Sequence, residues 1–121
     1  LGGQVNAESI GGMQVSAVGG QFDFVEAAMH GSTGRSILAL PSTAAGGKRS
    51  RIVHRLAPGS AVTIPRYLAD KVVTEFGVAD LRNRSLRERA EALIAVAHPD
   101  FRDALARGFE ESRRGVTPDR A

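Results

Sequence analysis

The stretch Val18-Gly19-Gly20-Gln21-Phe22-Asp23-Phe24 joins a glycine turn to the predicted start of a helix over residues 22–30. Gly31 follows as a typical helix-ending glycine. Two adjacent glycines let the backbone turn sharply and approach a ligand, because neither carries a Cβ. The amides at a helix start can bind an anion, or a carbonyl oxygen that gains charge during a reaction. An ordinary tight turn is the commoner explanation of such a short motif, so the rest of the chain must decide.

Apolar and alternating runs around this stretch predict short strands, and capping signals predict two helices near the C-terminus. Ser85-Leu86-Arg87-Glu88 is a capping box, and Pro99 follows His98 at the start of a second helix. Residues 42–50 are small and polar and predict a flexible loop that ends in positive charge. The predicted strands are 4–9, 13–18, 36–40, 51–56, 62–64 and 71–76, the last ended by Gly77. The fold class is therefore α/β, and the few strands suggest part of a larger fold.

Composition indicates one globular domain without disulfides. The chain has 121 residues, of which 42% are hydrophobic and 24% charged, and it contains no cysteine. No apolar run approaches the roughly 20 residues that cross a bilayer, and the first residues lack the pattern of a signal peptide. The chain does not begin with Met, so we expect a piece of a longer protein. We expect a cytoplasmic location and no membrane partner.

The positive charge is concentrated in the middle of the chain. Residues 27–69 contain no Asp or Glu, and the net charge of the whole chain is +3. A local excess of this kind indicates an anionic partner or, equally, a solvated surface balanced by acids elsewhere. Nucleic acid is the weaker interpretation, because no DNA- or RNA-binding motif matches. The basic residues in this segment are Arg35, Lys48, Arg49, Arg51, Arg55 and Arg66.

Most catalytic motifs are absent from the sequence. Gly46-Gly47-Lys48 fails the P-loop pattern because Arg49 follows the lysine, although its amides and Lys48 could still meet a phosphate. The three histidines are far apart and do not predict a metal site. Glu75 stands out, because it is a carboxylate that ends an apolar strand, where open α/β folds place ligands. A solvated glutamate at a strand end is the equally weighted alternative.

Several short motifs occur in an order that resembles one known family. Together they are similar to the C-terminal domain of the acetyl-CoA hydrolase/transferase family, which includes acetate and 4-hydroxybutyrate CoA-transferases. The similarity extends to about Leu105, and each motif alone is weak. The motifs are Gly3-Gln4-Val5-Asn6-Ala7-Glu8-Ser9, the glycine turn, Ala39-Leu40-Pro41-Ser42-Thr43-Ala44-Ala45-Gly46-Gly47, Ser50-Arg51-Ile52-Val53, Val72-Val73-Thr74-Glu75-Phe76-Gly77-Val78-Ala79-Asp80-Leu81-Arg82, Leu86-Arg87-Glu88-Arg89-Ala90 and Ala97-His98-Pro99-Asp100-Phe101.

The resemblance implies a fold of the NagB/RpiA/CoA-transferase type, with a mainly parallel sheet, flanking helices and two C-terminal helices. It implies a domain over residues 1–111, and we expect the polar tail 112–121 to be disordered. The implied reaction moves CoA from an acyl-CoA to a small carboxylate or water. A glutamate carboxylate attacks the thioester and an enzyme glutamyl-CoA thioester forms. That glutamate would lie upstream of this chain, so the N-terminal half of the enzyme is an expected partner.

The resemblance also assigns residues. Gly20 would bind the reacting carbonyl oxygen through its N–H, and Glu75 would be a supporting active-site carboxylate. Asn6, Gly19, Gly20 and the Gly46-Gly47-Lys48 segment would contact CoA as substrate. No metal and no covalently bound cofactor are expected. The chain departs from the family at Phe76, Glu26 and His54, where Tyr, Arg and Pro are common, and the first two leave the substrate preference open.

A non-catalytic module that binds CoA or another protein is the alternative function. Part of a larger fold should expose apolar surface, which leaves homodimer formation open.

Overall fold

The computed structural model describes residues 1–115, and residues 116–121 of the predicted tail lie outside the described residues. The chain also contains a 3₁₀ turn at Arg66–Leu68. Strands and helices are mixed along the chain, which confirms the predicted α/β class. The elements in chain order are β1 (Ser9–Ile10), β2 (Met13–Gln14), α1 (Gln21–His30), β3 (Ile37–Ala39), β4 (Thr43–Ala44), β5 (Arg49–Ser50), β6 (Lys71–Thr74), β7 (Gly77–Asp80), α2 (Leu86–Val96) and α3 (Pro99–Arg114).

The central sheet has the strand order β3-β6-β7 and is mixed rather than mainly parallel, so that detail of the prediction is wrong. β3 runs parallel to β6, whereas β7 is antiparallel to β6. The reason is the length of the connections. Only Glu75 and Phe76 join β6 to β7, and so short a turn can connect only antiparallel neighbours. β1 with β2 and β4 with β5 form separate antiparallel pairs.

The predicted strand 71–76 is shorter than expected. β6 ends at Thr74, Glu75 and Phe76 form the turn, and Gly77 opens β7 instead of stopping the sheet. Gly77 has a φ of +133°, a value that favours glycine, so it permits the hairpin to return along β6. Glu75 is thereby placed at a tight turn at the edge of the sheet.

Two other predicted strands are wrong. Residues 51–56 form no strand, although Ile52 is buried in the core. The carbonyls of Val53 and His54 instead accept hydrogen bonds from the backbone nitrogen of Leu1 at 2.7 and 3.0 Å. Residues 62–64 contribute a single bridge from Ile64 to Val5. These apolar runs signalled burial rather than strand pairing.

The remaining predictions of strands and loops are partly right. Segments 4–9 and 13–18 contain only the two-residue strands β1 and β2. Segment 36–40 contains β3. Residues 42–50, predicted as a flexible loop, form the β4–β5 hairpin with its turn at 45–48. This hairpin begins directly beside the end of β3.

The predicted helices are confirmed. The Ser85 hydroxyl accepts a hydrogen bond from the Glu88 amide at 3.3 Å, and the Glu88 carboxylate accepts one from the Ser85 amide at 2.7 Å, which is the predicted capping box. α3 begins at Pro99 and continues to Arg114, so the predicted boundary after residue 111 falls inside this helix.

The core lies between the sheet and the two C-terminal helices. A smaller cluster packs α1 through Val25 against Ile64 and Leu68. The main cluster fixes β6 and β7 on α2 and α3, and it therefore fixes the turn that carries Glu75. Its buried residues are Leu1, Ile52, Ala69, Val72, Ala79, Leu81, Ala90, Leu93, Val96, Ala97 and Leu105.

Candidate active site

The ends of the two parallel strands bring Ser42 and Glu75 together. The Leu40 amide donates to the Val73 carbonyl at 3.0 Å, which extends the pairing of β3 and β6 just past β3. Ser42 follows two residues later, and Glu75 follows β6 directly. The carboxyl ends of parallel strands meet at one edge of a sheet, which is where open α/β folds bind ligands. Two polar residues distant in the chain thus meet at this corner of the sheet.

Ser42 binds both oxygens of the Glu75 carboxylate. The Ser42 hydroxyl donates to Oε1 at 2.5 Å, and the Ser42 backbone amide donates to Oε2 at 2.9 Å. Ser42 is completely buried, whereas Glu75 is exposed. A buried serine therefore holds an exposed carboxylate in one orientation while leaving it accessible from solvent.

These hydrogen bonds keep Glu75 ionised. The pKa of Glu75 is lowered from its ordinary value, first by the Ser42 hydroxyl and then by the backbone amides of Glu75 and Ser42. Desolvation opposes this lowering, and the electrostatic effect of His98 adds to it. Hydrogen bonds to both oxygens also reduce the basicity of the carboxylate, which suits a supporting group better than an attacking one.

The turn that carries Glu75 is fixed from behind by Thr74. The hydroxyl of this buried residue donates to the Val96 carbonyl at 2.6 Å and accepts from the Phe76 amide at 3.1 Å. The side chain thus joins the turn to the C-terminal end of α2. Movement of Glu75 relative to the core would break these bonds.

Phe76 braces the same turn from the side. Its ring meets the His98 imidazole edge-on at a centroid distance of 5.4 Å, and the Arg102 guanidinium lies 5.6 Å from the ring centroid. Arg102 is itself held by a hydrogen bond from its Nε to the Ala97 carbonyl at 3.0 Å. The junction of α2 and α3 therefore supports the wall beside Glu75.

The predicted glycine turn has a different character. Gly19 has a φ of +63°, and Gly20 is the N-cap of α1 without a side-chain cap. Both residues are exposed. A Cβ on Gly19 would meet no atom within 4 Å, and one on Gly20 would meet only the Phe24 ring at 3.4 Å. The two glycines therefore leave room for a ligand beside the backbone at the start of α1, as an anion site requires.

The predicted CoA loop lies at the tip of the β4–β5 hairpin. Ala45, Gly46 and Gly47 have positive φ values of 52°, 64° and 85°, and the Lys48 amide closes the turn on the Ala45 carbonyl at 3.3 Å. Gly46, Gly47 and Lys48 are exposed. The hairpin starts at Ser42, so the predicted loop and the Glu75 corner belong to one local structure.

Asn6 forms part of the fold rather than pointing freely outward. Its Oδ1 accepts from the amides of Glu8 and Ser9 at 3.2 and 3.0 Å and from the Ser9 hydroxyl at 3.1 Å. Its Nδ2 donates to the Ser9 carbonyl at 2.8 Å. These contacts fix the turn before β1, and the binding role of Asn6 stays a prediction.

A cavity of about 820 Å³ lies beside β3 and the first turn of α1. The predicted site residue Asn6 lines this cavity, whereas neither Gly20 nor Glu75 belongs to its wall. Gln21 and Phe24 line it next to the glycine turn, and Arg51 and Arg55 contribute positive charge. The structure thus brings Glu75 together with the 42–50 hairpin but does not place all predicted residues in one cleft.

Two kinds of feature are absent from residues 1–115. No group of three or more His, Asp or Glu side chains in this range could hold a metal ion. No helix in the same range is long and apolar enough to cross a membrane.

Ser42 is the residue of this corner that the sequence patterns do not predict. It lies within a motif quoted above, but its contact with Glu75 spans 33 residues. The sequence signal for this contact is a pair of apolar strands, each followed within three residues by a polar side chain. Using it requires knowing that the two strands are parallel neighbours.

The fold and this corner define an α/β domain with a carboxylate held at the ends of its parallel strands, and comparison with known proteins gives the family. The profile of the acetyl-CoA hydrolase/transferase C-terminal domain matches residues 1–109. The chain therefore belongs to this family, which confirms the resemblance.

Similar proteins of known name are CoA-transferases. The chain is 52% identical over 111 residues to a 4-hydroxybutyrate coenzyme A transferase of Clostridium kluyveri, covering 92% of this chain and 26% of that protein. It is 47% identical over 116 residues to a butyryl-CoA:acetate CoA-transferase of Anaerostipes caccae, covering 93% and 26%. The chain thus spans about a quarter of these relatives.

Solved structures agree with the CoA-transferase-like fold. The crystal structure of RipA from Yersinia pestis matches with a TM-score of 0.84 and 46% identity, covering 93% of this chain and 25% of that one. A 4-hydroxybutyrate CoA-transferase from Porphyromonas gingivalis matches with a TM-score of 0.67 and 52% identity, covering 80% and 23%.

Proposed function

We propose that this chain is the C-terminal part of a CoA-transferase or acyl-CoA hydrolase that works through a glutamyl-CoA thioester. The attacking glutamate belongs to a part of the enzyme outside this chain. One observation carries the assignment: in a member of this family, both oxygens of Glu75 accept hydrogen bonds from Ser42. A carboxylate held in this way supports a reaction better than it starts one.

The proposed reaction begins when the external glutamate carboxylate attacks the acyl-CoA carbonyl. The C–S bond breaks, and a mixed anhydride and CoA thiolate result. The thiolate then attacks the glutamyl carbonyl, which releases the acyl group as a free carboxylate and leaves the glutamyl-CoA thioester. A second carboxylate reverses these steps to give a new acyl-CoA, or water hydrolyses the thioester to free CoA.

This chain would contribute charge stabilisation and positioning to those steps. The Gly20 amide would donate to the carbonyl oxygen as it becomes negative, because Gly20 is exposed and lies at the start of α1. The ionised Glu75 would accept hydrogen bonds from substrate or from the segment that bears the nucleophile. The proposed contacts to CoA are Gly19, Gly46, Gly47, Lys48 and Asn6. The proposed location of the enzyme is the cytoplasm.

The exposed apolar side chains suggest where the rest of the enzyme packs. Ile10, Met13, Val15 and Phe24 are 71%, 69%, 55% and 80% exposed. Segment 10–20 between them contains no charged residue. We assign this surface to the N-terminal part of the enzyme, in the same or a separate chain, while a homodimer would also cover it. The same surface favours a protein-interaction or CoA-binding module as the second candidate function.

A chimera tests the proposal. In it, this chain replaces the matching segment of the Clostridium kluyveri relative, and CoA transfer from an acyl-CoA to a carboxylate, or to water, is measured. We expect the chimera to turn over, with the unmodified relative as control. A folded chimera without transfer or hydrolysis, together with CoA binding by the 121-residue chain in calorimetry, would establish the non-catalytic alternative.

A further inference from the structure

We propose that Ser42 is the positioning residue of this site: it holds the Glu75 carboxylate at a fixed place relative to the β4–β5 hairpin. The inference rests on the proposed function and adds a residue to it. Ser42 does not act on substrate itself, because it is completely buried and its hydroxyl is bound to Glu75.

All the polar groups of Ser42 form hydrogen bonds, either to Glu75 or within the hairpin. The hydroxyl and the amide donate to the two oxygens of Glu75 at 2.5 and 2.9 Å. The carbonyl accepts from the Arg51 amide at 2.8 Å, which ties together the two ends of the hairpin. One residue therefore connects the end of β6 with the hairpin whose tip carries Gly46 and Lys48.

The two hydrogen bonds from Ser42 fix the orientation of the Glu75 carboxylate as well as favouring its charged form. A carboxylate with one hydrogen bond can rotate about its side-chain torsions, whereas two donors from one buried residue fix its plane. Misplacing an active-site group by about 1 Å can cost roughly 100-fold in rate. Since the Arg51–Ser42 bond uses backbone atoms only, removing the hydroxyl should disturb Glu75 while leaving the hairpin in place.

This separation predicts how kinetic constants respond. In the chimera, Ser42→Ala should lower kcat about tenfold and leave KM for acyl-CoA within about twofold, because the hairpin keeps its backbone. Ser42→Thr keeps a hydroxyl and should recover part of the loss. Ser50→Ala is the matched control, because Ser50 belongs to the same hairpin and its hydroxyl donates to the Ile52 carbonyl, away from Glu75.

A second readout does not depend on catalysis. The Glu75 side-chain carboxyl is titrated by ¹³C NMR in the 121-residue chain and its variants. Ser42→Ala should raise the pKa of Glu75 toward the ordinary range, because the hydroxyl is the largest cause of its lowering. Ser42→Thr should keep the pKa low, and Ser50→Ala should not change it. Amide spectra check that each variant is folded.

The outcomes separate the two proposals. A raised pKa with a lower kcat, both restored toward wild type by threonine, supports the positioning role. An unchanged Glu75 titration in Ser42→Ala overturns it, and so does a raised pKa with unchanged kcat, while the proposed function stands in both cases. A folded wild-type chimera without turnover overturns the proposed function and this inference with it.

Discussion

The Glu75 corner and the Gly19-Gly20 turn are two parts of the proposed site, and they are built differently. Glu75 is fixed by a buried serine 33 residues away and by a turn bonded to α2. The glycine turn is shaped by its own backbone and is exposed. The first is preorganised within this chain, whereas the second offers amides that only substrate or another part of the enzyme can use. Substitutions at the corner should therefore alter both kcat and the titration of Glu75. At the glycine turn, one substitution should lower kcat and the other should lower the stability of the fold.

Removing the Glu75 charge should have the largest effect. Glu75→Gln keeps the size of the side chain but cannot remain anionic, so we expect kcat of the chimera to fall roughly 100-fold. Glu91→Gln is the control, since Glu91 lies on α2 in an exposed ion pair with Arg87 at 3.8 Å. Equal rates for the two variants would remove Glu75 from the site.

Gly20→Ala should test the amide at the helix start. Gly20 has a φ of −89°, which alanine adopts freely, and the added Cβ would meet only the edge of the exposed Phe24 ring. We expect the fold to persist and kcat to fall about tenfold, because a methyl group would crowd the approach of the carbonyl oxygen. The readouts are steady-state kinetics and the urea midpoint. A variant with full activity would contradict the role of Gly20.

Gly19→Ala should act on stability instead. Its φ of +63° costs an alanine about 1 kcal/mol or slightly more, although nothing lies near the added Cβ. We expect the free energy of unfolding of the 121-residue chain to fall by about that amount in urea titration. No loss of stability would mean that the turn is not held in this conformation.

The pH dependence of stability should identify the corner. Because the pKa of Glu75 is lowered in the fold, its ionised form adds stability at pH values above its ordinary pKa, and that contribution disappears as the pH falls through the lowered pKa. The difference in unfolding free energy between wild type and Ser42→Ala should therefore be greatest near neutral pH and shrink below about pH 4. A difference that stays constant down to pH 3 would show that the Ser42 hydroxyl does not act through ionised Glu75.

Local signals in the sequence predicted what depends on nearby residues. The capping box at Ser85 and the proline at the start of α3 are examples, because both satisfy helix ends within a few positions. Glu75 stands out in the sequence for the same reason, as a carboxylate directly after an apolar strand. The roles given to Gly20 and Glu75 came from family resemblance rather than from spacing.

Features that depend on register could not be predicted in this way. Gly77 has the same sequence signal whether it stops a strand or opens the next one, so the sequence alone does not predict β7. Ile52 and Ile64 produced strand-like patterns because they are buried, not because their segments pair. The Ser42 contact requires the parallel alignment of β3 and β6, which brings together residues far apart in the chain.

The location of the covalent intermediate tests the central claim most directly. The chimera is incubated with acyl-CoA, the thioester is trapped with hydroxylamine as a glutamyl hydroxamate, and the modified peptide is identified by mass spectrometry. We predict a single hydroxamate in the part supplied by the Clostridium kluyveri relative and none in residues 1–121. A hydroxamate at Glu75, or at any other glutamate of this chain, would contradict the account.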